Sequence, residues 1–279
     1  MKKSPARIAK ATKKRVSLPG AATLLVVTML FAQLLGFLRT MLVNANFDIV
    51  GPDSTDAYFA AFKIPDFFFY VLAAGVLSVV LIPILSERMA KSDRRGVWEL
   101  SNSLMNLMAI ITFGIGILIL IFAEQLMNIV ASDLTPEQLA NSATIMRLIA
   151  FNPLFFTLSG ILTSTQQVFG RFFFFAISPV VYNASIIASI FLFGDSLGLV
   201  GLGIGALAGG LLQFLVALSG VTGLGFHWSP TINFKSTDFK RILRQLPARS
   251  VDQGIDSVNS IVATNRATAI GQGVVSSYE

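Results

Sequence analysis

Apolar residues in this chain run on rather than alternate. Runs of about 20 residues or more, the length a helix needs to cross hydrocarbon, fall at about 21–43, 56–84, 98–123, 139–166, 172–194, 200–222 and 250–277. The pattern predicts an all-α polytopic membrane protein with about seven transmembrane helices. The polar connections between runs are not equivalent. Those at 1–20, 85–97, Arg171 and 223–249 carry the loop cations, among them Arg88, Lys91, Arg94, Arg95, Lys235, Lys240, Arg241, Arg244 and Arg249. Those near 45–55, 124–138 and 195–199 carry Asp48, Asp53, Glu124, Asp133, Glu137 and Asp195 and no Lys or Arg. Cations retained on one side place that side, and the N-terminus, in the cytoplasm.

Polar residues inside the runs break the pattern, and they are the candidates for function. An ionisable group in hydrocarbon costs several kcal/mol and is kept where it faces a wet cavity or a partner. The stretch 33–86 holds Arg39 in the first run, Lys63 and Asp66 in the second, and Asp56 at the mouth of the second. Asp56 and Lys63, seven apart, project from one helical face. Pro65 removes a backbone donor, so a kink is expected near Lys63. A guanidinium such as Arg39 cannot be neutralised and can clamp phosphate oxygens in bidentate fashion. These four are candidate substrate-binding residues, against the alternatives of a Lys63–Asp66 pair and an Arg39–Asp56 pair.

The remaining runs add weaker signals. Asn152, Ser159, Thr163 and Gln166 share a stripe in the fourth run, and Asp252, Asp256, Asn259 and Arg266 share one in the last. Arg266 joins the substrate-binding candidates. Asp256 and Asn259 could hold a Na⁺ or exchange a proton, with interhelical hydrogen bonding as the alternative; no other cofactor is indicated. Gly201, Gly205 and Gly209 form a G-x-x-x-G-x-x-x-G row suited to close helix contact, either as a sliding surface or as static packing. Arg147 reads as a residue that snorkels outward. The aromatic runs Phe67–Tyr70 and Phe172–Phe175 read as packing and interface anchors. Thr135, Pro136 and the acids that follow read as a helix start.

Composition narrows the classes. The chain has 279 residues, 54% hydrophobic and 13% charged, about half the charge of a soluble domain. It contains no cysteine, which excludes disulfides and thiolate chemistry, and its one histidine, His227, stands alone in a polar stretch. No P-loop, G-x-S-x-G or H-E-x-x-H is present, so no enzyme site is indicated. The net charge of +6 resides in the cytoplasmic connections and does not point to nucleic acid. The divisions follow: 1–20 a basic cytoplasmic tail drawn to anionic lipid, 21–222 a lobe of six helices, and 223–249 a cytoplasmic linker. In that linker Ile242, Leu243 and Leu246, interleaved with cations, predict an amphipathic helix on the inner membrane surface. Residues 250–279 would begin a second lobe, so the sequence reads as the first half of something longer.

Four segments carry a family resemblance: LLGFLR at 34–39, TDAYFAAFKIPDFFF at 55–69, AAGVLSVVLIPILS at 73–86 and FFFFAISPVVYNASIIASI at 172–190. They resemble the MurJ/MviN family of lipid II flippases, in the superfamily that also holds the MATE exporters. The resemblance implies a MATE-like fold of two pseudo-symmetric lobes around a central cavity, of which this chain would supply the N-lobe and the first C-lobe helix. It implies alternating-access transport of undecaprenyl-diphosphate-linked peptidoglycan precursor across the bacterial plasma membrane, driven by membrane potential or by Na⁺ or H⁺. Arg39 matches the cavity arginine of GF-x-R, Asp56 the aspartate of D-A-F, and Asn259 the place of an aspartate proposed to bind Na⁺. Gln33, Phe69 and Ala74 depart from the family, standing where many members carry arginine, arginine and glutamate. Two further readings stay open: an exporter of another polyprenyl-linked glycan or of drugs, and a non-transporting membrane scaffold.

Overall fold

The computed structural model describes residues 18–49, 51, 54–74 and 77–278. The basic tail from Lys2 to Arg15, Asp53 and Glu279 lie outside the described residues, as do the side chains of Ala74 and Asp252. Every regular element described is helical: α1 (Leu18–Asn46), α2 (Thr55–Phe69), α3 (Ile82–Ala90), α4 (Arg94–Val130), α5 (Pro136–Leu148), α6 (Asn152–Val168), α7 (Phe173–Ser219), α8 (Thr237–Ile270) and α9 (Val274–Tyr278). By length and composition, Leu25–Asn46, Arg94–Val130, Pro136–Val168 and Phe173–Ser219 suffice to cross a membrane. The helix holding Lys63 and Asp66 is shorter, at 15 residues, and the one holding Asp256 and Arg266 is more polar.

Local chemistry accounts for the breaks. Thr135 caps α5 in a reciprocal box: Gln138 N donates to its Oγ1 at 3.3 Å, and its own N–H donates to Gln138 Oε1 at 3.0 Å. Pro136 takes the first helical position, where its missing donor costs nothing. α7 spans 47 residues, but Gly198 at φ 56°, ψ −140° folds it into a hairpin. That backbone region is nearly closed to any residue with a Cβ. The two arms meet along the glycine row. A Cβ at Gly201 would strike Phe193, one at Gly205 would strike Ser189, and one at Gly209 would lie 2.9 Å from the Tyr182 ring. Ser185 Oγ also donates to Gly205 O at 2.9 Å. The row is therefore a close-packed seam between consecutive arms.

Two expectations shift. The irregularity awaited near Lys63 lies further on. α2 continues through Pro65 to Phe69, and wide π-helical turns follow at Tyr70–Ala74 and Leu77–Leu81. The sequence there, Ala73-Ala74-Gly75-Val76, includes the weaker helix formers Gly and Val. The second concerns the amphipathic stretch after Ser236. Its apolar face docks on protein, with Phe239 and Ile242 fully buried in a cluster with Leu81 of the second π-helical turn, Leu85 of α3 and Val97 of α4. Ion pairs from Arg88 to Asp238 at 2.6 Å and Arg241 to Glu87 at 3.2 Å border the contact. α8 then runs on past 249/250 without interruption.

Candidate functional site

The charged stretch of α1 and α2 opens on a cavity of about 460 Å³ enclosed by α1, α2, α6 and α7. Along α2 and into the π-helical turn that follows, Phe59, Lys63, Asp66 and Tyr70 line it at spacings of four, three and four, one face of a helix. Arg39 enters from α1, Phe156 from α6, and Pro179, Tyr182 and Gln213 from the two arms of α7. The wall is aromatic. Phe69 meets Phe156 at 5.5 Å between centroids and Phe156 meets Tyr182 at 5.0 Å, both edge to face, as does Tyr58 with Phe62 at 4.9 Å.

Two cations and one acid face this space, and two hydrogen-bond donors there go unused. Arg39 Nε and Tyr58 Oη are buried with no hydrogen-bond partner among the described residues. An unmet donor costs about 1–3 kcal/mol, more when charged. A group that brings anionic oxygens recovers that energy. Lys63 Nζ is oriented by Ser260 Oγ of α8 at 3.2 Å. Arg39 also lines two neighbouring cavities of about 770 and 380 Å³, shared with Gln33 and Gly36.

The other predicted residues lie elsewhere. Asp56 is 1% exposed and is not on the cavity wall. Its carboxylate accepts from Gly273 N at 2.6 Å, Ser276 N at 2.7 Å and Ser276 Oγ. Thr55 Oγ1 and Asn44 Nδ2 reach Ser276 as well, at 2.6 and 3.3 Å. Asp56 thus latches the acidic end of α1 and α2 to the 271–278 segment, because backbone N–H groups come within its reach before any cation does. Asp256, Asn259 and Arg266 are exposed on α8 and line none of these cavities. Among the described residues no three His, Asp or Glu cluster as a metal site. In the fourth run, Asn152 Nδ2 bonds Ala206 O at 3.3 Å and Gln166 Nε2 bonds Ala217 O at 2.6 Å, so both tie α6 to α7. Ser159 and Thr163 border a mainly apolar space of about 310 Å³ beside the main cavity. Arg147 pairs with Glu124 at 2.8 Å.

Phe69 and Tyr70, read from the sequence as packing, belong to the wall. The stripe through Lys63 at helical spacing would have picked out Phe59 and Tyr70. Nothing local marks Tyr182 or Gln213, which come from arms more than 100 residues away in sequence.

Known proteins share this architecture. The family model described as lipid II flippase MurJ matches residues 50–279. A probable lipid II flippase MurJ of Borreliella burgdorferi is 27% identical over 225 residues, 79% of this chain and 43% of its own. The lipid II flippase MurJ of Burkholderia cenocepacia is 24% identical over 88% of this chain and 49% of its own. The chain spans about half the length of the curated relatives it matches. A solved lipid II flippase MurJ in an inward closed conformation superposes with TM-score 0.72 at 22% identity, over 91% of this chain and 52% of that one. An outward-facing multidrug MATE transporter superposes with TM-score 0.69 at 17% identity, over 88% and 55%. The helical bundle is the MATE-like fold.

Proposed function

Since the chain belongs to the MurJ lipid II flippase family, we propose that it carries lipid-linked peptidoglycan precursor from the inner to the outer leaflet of a bacterial plasma membrane. The observation that carries this reading is the pair of unmet donors, Arg39 Nε and Tyr58 Oη, at a cavity that also holds Lys63. A diphosphate supplies the acceptor oxygens those donors lack, and charge-assisted bonds to it are about twice as strong as neutral ones. The edge-to-face rings of Phe69, Phe156 and Tyr182 offer flat apolar faces to the sugars beside it. The lining outnumbers its one acid, Asp66, with two cations, which opposes a cationic drug as cargo. With the basic connections in the cytoplasm, the Asp56 latch closes the outer end while the precursor is held.

Arg39→Ala in the chromosomal protein tests this. We expect flippase-depleted cells to lose growth support while the variant stays at normal levels in the membrane. Normal growth would sink the proposal. If growth is lost and purified protein still binds lipid II with unchanged affinity, Arg39 acts in the conformational cycle and not as the anion clamp.

A further inference from the structure

The largest of the cavities described here lies apart from that site. It encloses about 1120 Å³ at the basic end, between the start of α4 and the 223–233 segment. This segment has little regular structure, yet one face of α4 laces it down. Trp98 Nε1 donates to Leu224 O at 3.1 Å, Asn102 Nδ2 to His227 O at 2.9 Å, and Asn106 Nδ2 to Ser229 O at 2.6 Å and Thr231 O at 3.0 Å. Residues 98, 102 and 106 stand one turn apart on a single stripe. Gly223 and Gly225, at φ 75° and 79°, turn the segment back over the helix. The groove walls are therefore built, and not merely a gap between loops.

The chemistry of the lining is two-sided. Arg94 and Arg95 stand at the mouth. Arg94 lies over the Phe169 ring at 5.5 Å, and Arg95 makes an ion pair with Glu99 whose members are 90% and 53% exposed, too wet to bind strongly. Acceptors line the groove beside them: the Glu99 carboxylate and the Ser229 and Thr231 hydroxyl oxygens toward the solvent, and the buried Asn102. The lacing uses Asn102 Nδ2 and leaves Oδ1 buried with no partner among the described residues, in a residue 4% exposed. Guanidiniums beside acceptors complement a phosphodiester whose alcohol carries hydrogen-bond donors. The volume exceeds what a bare phosphate would fill, at the top of the usual range for ligand pockets. The site sits at headgroup depth: α4 turns apolar within two turns of Trp98, and Trp228, 63% exposed, flanks it as interfacial tryptophans do.

We infer that this groove binds the headgroup of a phospholipid from the adjoining leaflet, a phosphodiester of glycerol or ethanolamine. Arg94 and Arg95 hold the phosphate, and Asn102 with Glu99 accepts from the hydroxyl or ammonium. The test uses the protein's two tryptophans, of which Trp98 lines the groove and Trp228 flanks it. Trp228→Phe leaves Trp98 as sole reporter in delipidated full-length protein. It is titrated with phosphatidylglycerol, phosphatidylethanolamine and phosphatidylcholine of matched acyl chains. Phosphatidylcholine has no donor on its headgroup and should need an about tenfold higher lipid fraction for the same spectral change, the value of one charge-assisted bond. R94Q/R95Q should weaken the response to all three lipids, which share the phosphate, and Lys240→Gln, a cation of the same end outside the groove, should leave it unchanged. Should the double variant fail to fold, Arg95→Gln alone carries the test. Equal response to phosphatidylcholine, or an equal effect of Lys240→Gln, overturns the proposal. Full displacement by soluble glycerophosphoglycerol overturns the lipid and assigns a soluble phosphate ester instead.

Discussion

Replacing Asp56 by asparagine keeps the shape of the latch and removes its charge. The carboxylate accepts three hydrogen bonds, two from the backbone N–H groups of Gly273 and Ser276 and one from the Ser276 hydroxyl. Asparagine keeps one acceptor oxygen. Pointed at Ser276, that oxygen serves two of the donors, and the NH₂ then confronts Gly273 N–H, donor against donor. One bond to a charged group is lost, about 1.5–3 kcal/mol, and two fall from charged to neutral strength, about 1 kcal/mol each. The total, about 3.5–5 kcal/mol, raises the open population of the 271–278 segment by two to four orders of magnitude at about 1.4 kcal/mol per tenfold. Amide hydrogen exchange reads that opening directly. The amides of Gly273 and Ser276 should exchange at least about a hundredfold faster in Asp56→Asn, with Asp48→Asn, an exposed neighbour, unchanged. Unaltered exchange in Asp56→Asn would refute the view that this carboxylate holds the acidic end closed.

Other outcomes follow from the same geometry. Arg39→Lys keeps the charge and loses the planar fork, so binding of a diphosphate lipid to purified protein should weaken about tenfold or more, and Tyr58→Phe should weaken it by about fivefold, one neutral hydrogen bond; native mass spectrometry of lipid occupancy measures both. Gly205→Ala drives a Cβ into Ser189 and should cost about 1–3 kcal/mol, while Gly114→Ala, with nothing within 4 Å, should be neutral or raise the melting temperature in detergent by helix propensity. Gln138→Ala removes the return bond of the capping box and the Nε2 bonds to Gly51 O at 2.6 Å and Ser54 Oγ at 3.1 Å. Thermal unfolding should show a loss of about 2–4 kcal/mol, mostly from buried groups left unpaired.

The sequence by itself determined what the solvent dictates. Hydrocarbon leaves no partner for an unpaired backbone group, so long apolar runs had to be helices, and the start of α5 was readable from Thr135 and Pro136 because a cap acts within one turn. The charges at Arg39, Lys63 and Asp66 were legible as cavity-facing for the same reason: their cost in lipid demands a compensating environment. Only the tertiary structure decided which partner each polar group found. Asp56 and Lys63 share a helical face, yet one meets the backbone of Gly273 and Ser276, more than 200 residues on, and the other lines the cavity. Tyr182 and Gln213 reach that cavity because Gly198 folds α7 back, an event no local pattern registers. The apolar face at Ile242, Leu243 and Leu246 was read from the sequence as one for the membrane surface, whereas Ile242, together with Phe239, is buried against protein. Lipid tails and protein interiors are similarly apolar, so hydrophobicity places a residue out of water but does not choose its neighbour; packing does.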